Sequence, residues 1–307
     1  MPDISVIILT YNEEQHIERC IANVKQIAKT IFVVDSFSTD QTVEKAEKLG
    51  AKIFQNKWPG NQAKQFNWAL SNLPIQTGWI LRLDADEYLY PELVEEINAK
   101  LDALTEDVTG VVFKRRHIFL GKWMKRGTYP VKLLRLFRYQ KAVCEQRWMD
   151  EHIQLLEGKS VEFEHDFADH NLNNLSWFLQ KHISYSIREA IDLLDIELEL
   201  ANKHDANPSS SGGGREEALG QQAAAKRAKK LKYAKQPLFW RSFAYFAYRY
   251  FFKLGFLEGK EGFMWHFFQG WWYRSLVDAK IWEIKRACGT DREKIKQYVK
   301  KEYGIEI

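Results

Sequence analysis

The strongest constraint on the fold is a repeating alternation in the first 84 residues of the 307-residue chain. Short, β-branched apolar runs occupy residues 4–9 (ISVIIL), 31–34 (IFVV), 51–54 and 79–83 (WILRL). The first is continuous and reads as a strand buried on both faces, the second also reads as buried, and 51–54 and 79–83 read as a short third strand and a fourth. Between them lie segments with helical spacing, such as Ile17, Ile21 and Val24, or 41–50 (QTVEKAEKLG) behind the capping residues Ser38, Thr39 and Asp40. Strand, helix, strand in this order predicts βαβ units and a mainly parallel α/β sheet.

Parallel α/β sheets bind ligands at the carboxyl ends of their strands. Three of the four runs end in polar residues there: Thr10-Tyr11-Asn12-Glu13, Asp35-Ser36 and Asp84-Ala85-Asp86. A DxD pair alone is a weak signal, but one placed directly after a buried strand supplies hard oxygen donors for Mg²⁺ or Mn²⁺. A nucleotidyltransferase would carry a Gly-rich basic loop after the first strand, and TYNEEQHIERC has none. No GxGxxG follows any strand, which removes a dinucleotide-binding dehydrogenase.

SVIILTYNEE, VVDSFSTD and LRLDADE, in that order, resemble the family 2 glycosyltransferases with the GT-A fold, over roughly residues 3–155. The resemblance implies that Thr10, Tyr11, Glu13, Asp35, Lys64 and Asp84 bind a UDP-sugar. It further implies that Asp86 ligates Mn²⁺ or Mg²⁺, and that an inverting transfer uses a carboxylate base within WMDEH. That base is Asp150 or Glu151, with Glu151 preferred and Glu145 an outsider. The basic residues Arg116, Lys125 and Arg126 then line the acceptor side. The alternatives are a non-catalytic nucleotide-sugar or glycan-binding protein, or a nucleotidyltransferase.

Composition matters most in the last third. Of 43 aromatic residues, 17 fall between Pro237 and Val277, and from Lys226 to Lys260 the only acid is Glu258. Trp and Tyr favour the membrane interface, and Lys and Arg favour anionic headgroups. Arg241, Arg249, Lys253 and Arg274 interrupt the apolar stretches, so the expectation is helices lying on a membrane rather than crossing it. GFLEGKEGF at 255–263 and KIWE at 280–283 resemble bacterial transferases that build lipopolysaccharide core or lipid-linked polysaccharide. That implies a lipid-linked saccharide acceptor and peripheral attachment to the cytoplasmic, inner face of the cell membrane.

The net charge of +4 is too small to imply nucleic acid, and Cys20, Cys144 and Cys288 form no CxxC, so a reducing compartment without disulfides is expected. The expected domains are a GT-A catalytic domain at 1–172, a helical connection at 173–206, a linker at 207–216 (around NPSSSGGG) and an aromatic, basic helical region at 217–307. A homo-oligomer is left open.

Overall fold

Burial drives β1 (Ile4–Thr10), β2 (Ala28–Asp35) and β4 (Trp79–Asp84) together, while β3 (Lys52–Gln55) lies at the sheet edge with its residues exposed or half-buried, not buried on both faces. β1 pairs in parallel with β2 and with β4, and β2 pairs in parallel with β3. α1 (Ile17–Val24), α2 (Thr42–Lys48) and α4 (Pro91–Lys100) supply Cys20, Ile21, Ala46, Leu93 and Ile97 to the core on one face. On α3 (Gln62–Asn72), Phe66 meets Phe137 edge-on, with ring centroids 6.2 Å apart. These are the βαβ units predicted from periodicity.

The computed structural model describes residues 2–145, 151–198, 200 and 232–307. The expected linker at 207–216 and Asp150 lie outside them. Within them the chain forms two compact units, one of 2–145 with 151–172 and one of 173–307.

In the first unit the sheet is mixed, with strand order β3-β2-β1-β4-β8-β6-β11-β5. β8 (Val131–Arg138) runs antiparallel to both β4 and β6 (Val108–Phe119), β11 (Lys159–His170) is parallel to β6, and β5 (Glu87–Leu89) is antiparallel to β11. The expected mainly parallel character therefore holds for residues 4–84 and ends at β4. Beyond it, β6 and β8 are joined without a crossover helix, which makes them antiparallel neighbours. The two-residue strand β7 (Lys122–Trp123) folds back on the end of β6, and β9 (Ala142–Cys144) forms a separate ribbon with β10 (Ile153–Leu155).

The second unit is helical. α5 (Leu175–Leu198), α8 (Tyr273–Cys288) and α9 (Arg292–Tyr303) share a core of Ile187, Ile191, Leu194, Val277, Ile281 and Ile295. α6 (Trp240–Ala247) and α7 (Gly259–Trp265) are each followed by a π-helical segment, at 248–252 and 266–272. Among the described residues no helix is long and apolar enough to cross a membrane.

Candidate functional site

The parallel register brings the strand ends together: Thr10 is level with Asp35, and Leu9 with Asp84. Asp35 is fully buried, yet its carboxylate is well supplied with donors. Thr10 Oγ1 donates to Oδ1 at 3.0 Å, and the Ser38 backbone N–H donates to Oδ2 at 2.8 Å. Ser38 in turn accepts from the Asn12 N–H at 2.8 Å, and Asn12 Oδ1 accepts from the Thr39 N–H at 2.9 Å. Asn12 holds φ 56°, a left-handed conformation that Asn tolerates better than most residues. The loops after β1 and β2 are thus stitched into one wall, from which Tyr11 projects with 58% of its surface exposed.

Glu13 faces a neighbouring histidine. His16 is buried, its Nε2 accepts from the Leu172 N–H at 2.9 Å, and its Nδ1 lies 2.7 Å from Glu13 Oε2. Because Nε2 accepts, the neutral ring carries its proton on Nδ1 and donates it to Glu13.

At the end of β4, Asp84 Oδ2 lies 3.6 Å from Arg135 and Oδ1 lies 3.9 Å from Arg82. Arg135 also forms a close ion pair with buried Glu87, whose Oε2 accepts from the Asp84 N–H at 3.0 Å. Arg135 reaches this position because the β6–β8 register slips between Val111 and Val112: Leu136 is level with Val111 and Leu134 with Val112. The bulge leaves Arg135 without a cross-strand partner and re-aims its side chain. Arg135 is thus buried among carboxylates. Burial pushes the Glu87 carboxyl up to about 8 against the pull of Arg135.

Asp86 is held from two sides. Asn171 Nδ2 donates to its Oδ2 at 3.0 Å, while its backbone carbonyl accepts from the His170 N–H at 3.0 Å and from Arg19 Nη2 at 3.1 Å. Among the described residues no group of three or more His, Cys, Asp or Glu side chains could hold a metal by itself. Two carboxylates at a strand end still suit a hard divalent cation that takes its remaining ligands from phosphate oxygens and water.

α3 lies beside this edge. Lys64 is exposed, whereas the next residue, Gln65, is fully buried and donates to Ser36 Oγ at 3.2 Å. Asn67 grips the backbone of Cys144 in both directions, at 2.8 and 2.9 Å, and Arg82 Nη1 lies 3.5 Å from Cys144 Sγ. The base of the β9–β10 ribbon is thereby tied to the residue that flanks Asp84. Glu145 follows directly, accepting from Gln154 at 2.7 Å with His152 Nδ1 at 3.7 Å. Glu151 is half-buried.

The basic run of β6 continues on the same edge, since β6 runs parallel to β4 with Val111 and Leu81 both level with Leu136. Arg116 donates to Asp166 at 2.6 Å and lies 4.2 Å from the ring centroids of both Tyr90 and Trp123. Lys125 lies 4.7 Å from the Trp123 ring centroid, and both Lys125 and Arg126 are exposed. Gln65, Glu87, His170 and Asn171 were absent from the candidates read from the sequence. The last two sit on or just after β11, whose pairing with β6 is set by long-range contacts.

Residues 5–155 match the family model described as glycosyl transferase family 2. An uncharacterized glycosyltransferase of Rickettsia bellii is 46% identical over 94 residues, which is 31% of this chain and 31% of that protein. The chain thus matches about a third of the length of such curated relatives. Among solved structures, glucosyl-3-phosphoglycerate synthase from Mycobacterium tuberculosis, in complex with Mn²⁺, UDP and glucosyl-3-phosphoglycerate, aligns with 37% of this chain and 43% of its own. It does so at 23% identity and a TM-score of 0.31. TarS 1-349 from S. aureus aligns with 99% of this chain and 93% of its own, at 17% identity and a TM-score of 0.40. The strand-end carboxylates described above fall within the segment that matches the glycosyl transferase family 2 model, whereas their supports on β11 and beyond lie outside it.

Proposed function

We propose that the protein is an inverting, metal-dependent glycosyltransferase. It moves a sugar from a UDP-sugar to a lipid-linked or lipopolysaccharide-type saccharide at the cytoplasmic face of the cell membrane. The observation that carries the reading is the shared edge of β1, β2 and β4, where Asp35 and Asp84 stand at the ends of register-matched strands.

In this reading Tyr11 stacks on the uracil and Asp35 accepts from its N–H. Glu13 and Asp84 face the ribose and diphosphate, and Lys64 approaches the nucleotide from α3. Asp86 holds Mn²⁺ or Mg²⁺, which when bound offsets the charge of the departing diphosphate. The acceptor hydroxyl oxygen attacks the anomeric carbon from the face opposite UDP. Its C–O bond forms as the bond to the diphosphate oxygen breaks, and Glu151 or Asp150 takes the hydroxyl proton. Arg116, Lys125 and Arg126 offer positive charge to the acceptor.

A calorimetric titration with UDP, followed by a donor-hydrolysis screen over UDP-, GDP- and dTDP-sugars with Mn²⁺ and Mg²⁺, tests this. UDP binding with metal-dependent release of UDP from one UDP-sugar is expected. Absence of UDP binding, or preference for another nucleotide, overturns the donor assignment.

A further inference from the structure

The aromatic stretch divides into two by burial. Trp265 and Tyr273 are buried, and Trp271 stacks on Phe246 at 5.4 Å, so much of 265–273 packs inside the second unit. The expectation that both aromatic segments lie on a surface is corrected for this half. The other half faces outward. Trp240 is 73% exposed, and in the turn that joins the π-helical segment 248–252 to the 3₁₀ turn 255–258 five large apolar side chains are exposed within seven residues. They are Phe251, Phe252 (79%), Leu254, Phe256 and Leu257.

Polar groups hold this turn outward. Gly255 sits against His266, so closely that a Cβ there would come within 2.3 Å of the ring Nε2. His266 lies 3.7 Å from Glu258, and Arg249, almost fully buried, bonds Gln269. Leu254 itself takes a left-handed φ of 60°. The inner side of the turn is thus filled by buried polar side chains, which leaves its apolar side chains no place in the core of this unit.

From Lys232 to Leu257 there is no acid, and Lys232, Lys235, Lys253 and Lys260 are exposed. Interfaces between proteins deplete lysine, whereas lysines around an apolar tip suit an anionic bilayer into which the tip dips. We propose that residues 251–257 form a wedge that inserts into the headgroup region of an anionic lipid bilayer, with Lys253 and Lys260 on its phosphates. This deepens the membrane part of the proposed function and rests on it.

The test is flotation of the full chain with vesicles of phosphatidylcholine alone or with phosphatidylglycerol. Binding to the anionic vesicles, weakened by salt, is expected. Phe252→Ser with Leu257→Ser should lower the apparent lipid affinity at least about tenfold, with circular dichroism and UDP affinity unchanged. No binding of the wild type at low salt, or equal binding of the double variant, overturns the wedge. So does a lipid-free dimer in analytical ultracentrifugation that the double variant dissolves, which would assign the surface to a second copy. A wild type that binds vesicles but not UDP overturns the nucleotide reading and leaves the wedge standing.

Discussion

The Thr10 hydroxyl donates to the Asp35 carboxylate at 3.0 Å, joining the last residues of β1 and β2 across 25 positions of sequence. It satisfies a buried carboxylate that must otherwise lose its hydration uncompensated. It also fixes the direction in which that carboxylate offers its remaining lone pairs. Asp35→Ala should destabilise the first unit by about 1–3 kcal/mol by leaving Thr10 and Ser38 donors unmet. It should weaken UDP binding further, seen by calorimetry well below the melting transition. Unchanged UDP affinity would remove Asp35 from the nucleotide site.

Asp86 and Asn171 should separate metal binding from metal positioning. Asp86→Ala is expected to abolish metal-dependent turnover with little change in melting temperature, because the side chain is only half-buried. Asn171→Ala removes a 3.0 Å hydrogen bond that orients the carboxylate. It should raise the Mn²⁺ concentration needed for half-maximal activity about 10-fold or more while keeping activity at saturating metal. Loss of activity at every metal concentration would mean that Asn171 acts elsewhere.

Three carboxylates compete for the base. Glu151→Gln, Asp150→Asn and Glu145→Gln should be compared for turnover and for UDP affinity. The base variant should lose about 10²–10⁴-fold in kcat with UDP affinity intact. Glu145→Gln should instead disturb its contacts with Gln154 and His152. Full activity in all three would place the base outside residues 145–151.

Glu96 sets an acid limit on stability. Burial pushes its carboxyl upward, but hydrogen bonds from Lys100 and from the Glu164 and His165 backbone N–H groups and the His165 ring outweigh this and hold it at about 2. A carboxyl held below its unfolded value of 4.5 binds fewer protons folded than unfolded between those values. Its stabilisation is therefore present above about pH 4.5 and is lost as pH falls toward 2. Urea melts of the wild type and Glu96→Gln should differ most near neutrality and converge at the acid end. A gap that is constant across pH would show that packing rather than charge sets the difference.

Sequence alone determined the first half of the first unit. The apolar runs of β1, β2 and β4 are buried as inner strands, and the residue types at their ends, Thr10, Asp35 and Asp84 with Asp86, carry chemistry that is local. It also marked the aromatic, basic tail as unusual. Tertiary structure decided what depends on distant pairing. The parallel pairing of β11 with β6 delivers His170 and Asn171 to Asp86. A one-residue bulge in β8 leaves Arg135 unmatched on β6, and its side chain pairs with Asp84 and Glu87. The packing of α6 against the 266–272 segment separates buried Trp265 and Tyr273 from exposed Phe252 and Leu257. Composition cannot distinguish these, because register and burial are properties of two segments brought together and not of either one.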